Sequence, residues 1–146
     1  MVGWAMAWIA SVGLVAPTGG RAHQLPSIET MVTRLAEGRL VLDRVRFRQT
    51  DDHLAQGYEA LLEQAARALN RSQGKFAVYV PAELTPSLPA DTVLSRRRSF
   101  TAYRALLAAG SNPAHLVGPV EAARLASREI RAVRPGDARI ELLRIE

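Results

Sequence analysis

The residues whose chemistry could make a catalyst are few and poorly spaced. His23, His53 and His115 stand apart, without the interval that brings two imidazoles onto one metal ion. No HExxH, GxSxG, Walker A or GxGxxG pattern occurs. Cysteine is absent, which removes thiolate nucleophiles, disulfides, cysteine-held zinc and lipidation on cysteine. Asp51-Asp52-His53 has the ingredients of a triad. It also stands just before an apolar helical repeat, where carboxylates cap free amides and favour the positive end of the helix dipole. Asp51 or Asp52 is therefore read as a helix cap. Spacing singles out no Asp/Glu pair for glycosidase chemistry. The reading is of a protein that is not an enzyme and needs no metal or cofactor.

Arg96-Arg97-Arg98, with Arg104 nearby, is the densest charge cluster. Three successive helical residues fan over about 200°, so they form no single flat basic face. If Ser99, Ala102, Tyr103 and Leu106 face the core, Arg98 lies at the edge of that face and Arg97 points away from it. Only Lys75 among nineteen basic residues is lysine, and the net charge is +5. Guanidinium favours forked contacts to carboxylate or phosphate, so nucleic acid, anionic lipid and cell-wall peptide carboxylates all match the charge. Aromatics make up only 5% and none interleave with the arginines, which argues against nucleic acid.

The elements that must carry these residues follow from periodicity. At 146 residues, 48% hydrophobic and 23% charged, the chain can build one core and no second full domain. Residues 1–17 are uncharged and apolar, shorter than the roughly 20 residues that comfortably span a bilayer. A small-residue run follows, so residues 1–22 read as a secretory signal cleaved after Ala22, or as an uncleaved membrane anchor. Residues 23–39 are a connector and a short amphipathic helix behind Ser27, with Ile28, Met31, Val32 and Leu35 on one side and Gly38 at its end. Residues 40–146 form the body. A strand over 40–47 is followed by a helix capped at Asp51 or Asp52, carrying Leu54, Tyr58, Leu61, Leu62, Ala65 and Leu69 and stopping near Asn70. Next come a strand over 76–80, a proline-rich loop over 81–91, and a helix over 93–109 capped by Asp91 or Thr92 and ended by Gly110. A short strand at Leu116 and Val117, a helical turn or two over 120–128, and a last strand over 138–145 complete it. This order predicts an α/β (α+β) fold, a two-layer sandwich of β-α-β-α-β type with a small mixed sheet and helices on one face.

Leu94-Ser95-Arg96-Arg97-Arg98-Ser99, followed by Leu106, Leu107 and Gly110, resembles the LSxRRA helix signature of the OmpA-like C-terminal domain. Arg44-Val45-Arg46-Phe47 resembles that family's first strand, and Asp137-Ala138-Arg139-Ile140-Glu141 is similar to its NRRVE strand. The resemblance covers about residues 40–146. It implies a periplasmic domain of the cell envelope that binds peptidoglycan without covalent chemistry, through the diaminopimelate of the stem peptide. Carried over position by position, the ligand-binding residues are Glu83, Asp91, Leu94, Arg98 and Arg139. Arg98 would fork to the ligand carboxylate and Glu83 would pair with its ammonium. The family's Gly-[His/Tyr]-Thr-Asp turn stands here as Val80-Pro81-Ala82-Glu83, so the loop must shift to accommodate the longer carboxylate. Arg98 has a second reading as an arginine bonded to a neighbouring loop, and the chain a second reading as a scaffold for envelope proteins. Nucleic acid is not an expected partner, and a membrane is expected only through an uncleaved N-terminus.

Overall fold

Alternation along the strands decides which side of the sheet is covered. The computed structural model describes residues 25–48, 51–83, 88–126 and 132–145, and the expected signal over residues 1–22 lies outside them. Strand β1 (Arg39–Leu42), β2 (Phe76–Tyr79), β3 (Leu116–Val117) and β4 (Ile140–Arg144) form one sheet in the order β1-β4-β2-β3. β4 is antiparallel to both β1 and β2, while β2 and β3 run parallel. Successive strand residues face opposite sides. Leu40, Leu42, Phe76, Val78, Val80, Ile140 and Leu142 accordingly share one buried core with helix residues. The result is the expected α+β arrangement with a small mixed sheet.

Three helices close that core. α1 (Ile28–Ala36) begins at Ser27, whose side chain accepts from the Thr30 amide at 3.1 Å. Met31 and Leu35 point inward, both fully buried in the core that the body of the chain builds, so α1 shares it rather than lying outside it. α2 (Glu59–Arg71) contributes Leu61, Leu62, Ala65, Ala68 and Leu69, and α3 (Leu88–Ala108) contributes Ala102 and Leu106. α3 ends at Gly110 as expected: φ is +104°, and the Gly110 and Ser111 amides turn back onto the carbonyls of Leu107 and Leu106 at 3.1 and 3.0 Å. Asn70 clips the two helix ends together, donating to the Gly110 carbonyl at 2.8 Å and accepting from the Asn112 amide at 2.7 Å. α4 (Pro119–Ala126) follows β3. Among the described residues no helix is long and apolar enough to cross a membrane.

The structure corrects three boundaries. The first strand ends at Leu42, and Phe47 instead makes an isolated antiparallel bridge to Leu54. The second helix starts at Glu59, not at Asp51 or Asp52. The amides between them are used otherwise: Ala55 donates to the Arg46 carbonyl at 3.0 Å and Arg48 to that of His53 at 2.9 Å. Asp51 Oδ1 accepts from the His53 amide at 2.8 Å, an Asx turn rather than a helix cap. Third, α3 begins at Leu88, ahead of the expected Asp91 or Thr92 cap. Pro89 is compatible with this start, because it lacks only an amide that a first helical turn leaves unpaired.

Two outcomes follow from this packing. Leu35→Ala should lower unfolding free energy by about 3 kcal/mol in a urea titration, the usual range for emptying a buried leucine site. A helix merely resting on the domain would show almost none of that loss. The second concerns Tyr79, which faces Glu141 across the β2–β4 ladder. Burial, with the Glu141 charge adding to it, pushes its phenol from 10.0 up to about 12. A raised folded-state value favours the folded chain below the unfolded value, and that contribution is lost as pH climbs through the window from 10.0 to about 12. Tyr79→Phe should flatten stability against pH in that window.

Candidate functional site

Arg98 lies on the inner side of α3, and 2% of its side chain is exposed. A guanidinium cannot shed its proton, so its burial requires acceptors and a counter-charge. The fold supplies both. Nε donates to the Asp51 carbonyl at 3.0 Å and Nη2 to the Arg48 carbonyl at 3.0 Å. Both acceptors belong to the bridged excursion between β1 and α2. Phe47, from the same excursion, puts its ring centroid 5.2 Å from the guanidinium carbon, within range of a cation–π contact. Nη1 faces Glu83 Oε1 at 3.2 Å.

Glu83 arrives from the opposite direction, four residues past the end of β2. Its backbone bridges Val133 in parallel, and the Val133 amide donates to the Ala82 carbonyl at 2.9 Å. The Glu83 side chain retains 13% exposure, so the pair is open to solvent on its carboxylate side. The two residues that the resemblance singled out therefore meet, and the longer carboxylate reaches the arginine from this turn. Two serines fasten the turn to α3: Ser95 Oγ donates to the Val80 carbonyl, and Ser99 Oγ accepts from the Val80 amide at 3.0 Å.

The other expected residues divide. Asp91 is buried in the first turn of α3, where the helix dipole favours a carboxylate. Asp91, Leu94 and Arg98 recur at intervals that keep them on one side of the helix. Arg139 immediately precedes β4, and its Nε lies 3.5 Å from Glu141 Oε1, which also takes Arg39 Nη2 at 2.7 Å. Arg139 thus belongs to an ion cluster with Arg39 and Glu141, and no contact to Glu83 or Arg98 is seen among the described residues. The bonds to the Arg48 and Asp51 carbonyls match the second reading of Arg98, an arginine bonded to a neighbouring loop, but which carbonyls it uses was not foreseen. A main-chain acceptor leaves no mark in side-chain identity, so no sequence signal could have found them.

The Asp51-Asp52-His53 cluster is real in space: His53 Nδ1 lies 3.4 Å from a carboxylate oxygen of each aspartate. The cluster is largely open to solvent, and Asp51 is already engaged in its turn. Its structural role is to shape the loop whose carbonyls hold Arg98.

No protein-family model and no curated protein sequence matches the chain. Solved structures do. The periplasmic domain of Helicobacter pylori MotB is similar with a TM-score of 0.51 and 18% identity, over 72% of this chain and 72% of that one. The cell wall anchor of the T6SS from Pseudomonas aeruginosa is similar with a TM-score of 0.50 and 17% identity, over 84% of this chain and all 100% of that one. Likeness at this level of identity shows a shared fold, and the α+β arrangement with a small mixed sheet implied by the sequence resemblance is the one found.

Removing the arginine tests the structural side of this geometry. Arg98→Met keeps the apolar stem but strands two partly buried carbonyls and one carboxylate. It should cost about 3 kcal/mol in chemical denaturation. A loss under about 0.5 kcal/mol, typical of a surface site, would contradict the arrangement described.

Proposed function

We propose that the Glu83–Arg98 pair is the docking point for the diaminopimelate end of a peptidoglycan stem peptide, and that the chain is a non-catalytic wall-binding domain of the periplasm. The observation that carries this reading is the convergence of a carboxylate and a guanidinium at 3.2 Å, from two separate elements, at a point where only the carboxylate reaches solvent. The diaminopimelate end is a zwitterion, with an ammonium and a carboxylate on one carbon. Inserted between the two side chains, it would give its carboxylate to Arg98 Nη1 and its ammonium to Glu83. Each protein charge then exchanges one opposite partner for another, and no buried charge is left alone during the exchange. Meanwhile the Arg48 and Asp51 carbonyls keep hold of Nη2 and Nε, so the remaining nitrogen stays aimed at the ligand.

The similar structures support the wall as partner: one is a cell wall anchor, the other a periplasmic domain. Membrane attachment would come only from an uncleaved N-terminal segment. The depth of Arg98 favours a second reading. With its contacts satisfied internally, the same pair could serve as a structural latch in a scaffold that binds envelope proteins.

Co-sedimentation with purified sacculi separates the two. Wall binding predicts that free diaminopimelate competes the chain into the supernatant, whereas cadaverine, which carries amines but no carboxylate, does not. Glu83→Gln keeps the side-chain shape and removes the charge, and should weaken recovery by about tenfold, the effect of one charge-assisted contact. Circular dichroism on the same samples checks that the variant is folded. Recovery of the wild-type chain in the supernatant at all sacculus concentrations would leave the latch reading.

A further inference from the structure

The side of α3 turned away from Arg98 borders a second site of different chemistry. A half-enclosed cavity of about 750 Å³ opens between the exit of β2, α3 and α4. Such a volume lies within the roughly 300 to 1,000 Å³ typical of small-molecule sites. Its walls include Val78 and Tyr79 of β2, Phe100 of α3 and Val120 of α4. Phe100 is 39% exposed and Val120 64% exposed, and both stand on the same wall, so the apolar surface there is contiguous rather than scattered. Arg96 and Arg124 also line it, and both are exposed, while no carboxylate lines it among the described residues. The Arg104 guanidinium lies 6.0 Å from the centroid of the Phe100 ring, a further positive charge near that wall although it does not itself line the cavity.

The walls narrow the class of occupant. β2 is paired to β4 along its whole length, while β3 pairs only Phe76 and Ala77; the stretch of β2 edge left at the cavity is the two residues Val78 and Tyr79, too short to hold an added peptide strand. The hydroxyls of Ser95 and Ser99, which also face the cavity, are committed to main-chain partners on α3 and β2. A ligand rich in hydrogen-bonding groups, such as a sugar or nucleotide, would find few partners. The Tyr79 hydroxyl adds none, since it is buried out of reach of a molecule in the cavity. An apolar wall with a cationic rim fits a molecule with a long apolar body and one anionic head.

We propose that this cavity binds a single-chain anionic amphiphile of the alkyl carboxylate class, its chain against Val78, Phe100 and Val120 and its head at Arg96 and Arg124. The site lies on another face of α3 from the Glu83–Arg98 pair, so it stands or falls independently of wall binding.

Equilibrium dialysis of the full chain against dodecanoate, below its micelle concentration, tests the proposal. Saturable, equimolar uptake is expected, unaffected by free diaminopimelate and not competed by dodecyltrimethylammonium. Val120→Asp, which puts a like charge on an exposed wall, and Arg96→Glu, which reverses the rim, should each weaken uptake by about tenfold or more. Thermal melting at the wild-type temperature shows that neither variant has simply unfolded. Two results would overturn the site: equal uptake of the carboxylate and the quaternary ammonium, which is unspecific apolar partition, or wild-type uptake by both folded variants. Absence of saturable dodecanoate binding would do the same.

Discussion

The interior of this protein is organised by a charge that cannot be neutralised. A guanidinium at 2% exposure must have acceptors and a counter-ion, since an arginine has no neutral form to fall back on. The acceptors come from the excursion between β1 and α2, the counter-ion from the turn after β2, and the arginine itself from α3. Three segments distant in sequence are thus specified by one side chain. The aspartates at 51 and 52 take on a different meaning in this light. They shape a loop whose main chain faces Arg98, and the turn at Asp51 presents a carbonyl that a helix beginning there would have consumed.

α3 carries two chemistries because of its period. Successive residues fall about 100° apart, so Arg96, Arg97 and Arg98 cannot share an environment. Arg98 is buried and Arg96 and Arg97 are exposed, and Arg96 borders the cavity toward α4. Ser95 and Ser99, between these faces, bond to the peptide of Val80. Their short hydroxyls draw the β2 exit close to the helix. Without that tie the Glu83 turn would have no fixed distance from Arg98.

Most elements were legible in the sequence because their cues are local. Ser27 as a cap, Gly110 as a stop, the apolar spacing of α2 and the all-buried run of β2 each depend on near neighbours in the chain. The pairing of Glu83 with Arg98 was legible only through family resemblance, because nothing local joins a proline-rich turn to the middle of a helix. Illegible were the features in which a distant partner overrides a local preference. Phe47 alternates with arginines as a strand would, yet it pairs with Leu54 and lies against Arg98. Asp51 and Asp52 have a helix-capping character, yet of the amides that follow, that of His53 closes a turn on the Asp51 side chain and that of Ala55 goes to the Arg46 carbonyl. In α3, Pro89 looked like loop because proline breaks helix interiors, although it is equally suited to a first turn.

Glu83 where the resembled turn has a shorter carboxylate, and Val80-Pro81 where it has a glycine followed by His or Tyr, act together. Proline fixes φ and removes an amide, which stiffens the turn, while the bond from the Val133 amide to the Ala82 carbonyl holds it from the far side. A turn fixed in this way cannot close on its partner by moving its backbone. The extra methylene of glutamate supplies that reach, and the contact forms at 3.2 Å with the side chain still 13% exposed. A longer arm also has more rotamers to lose when it is pinned and more room to swing when it is released. The geometry therefore locates adjustability in one side chain rather than in the loop. That is the property an ion pair needs if a zwitterion is to enter between its members without disturbing the carbonyls that hold Arg98 in place.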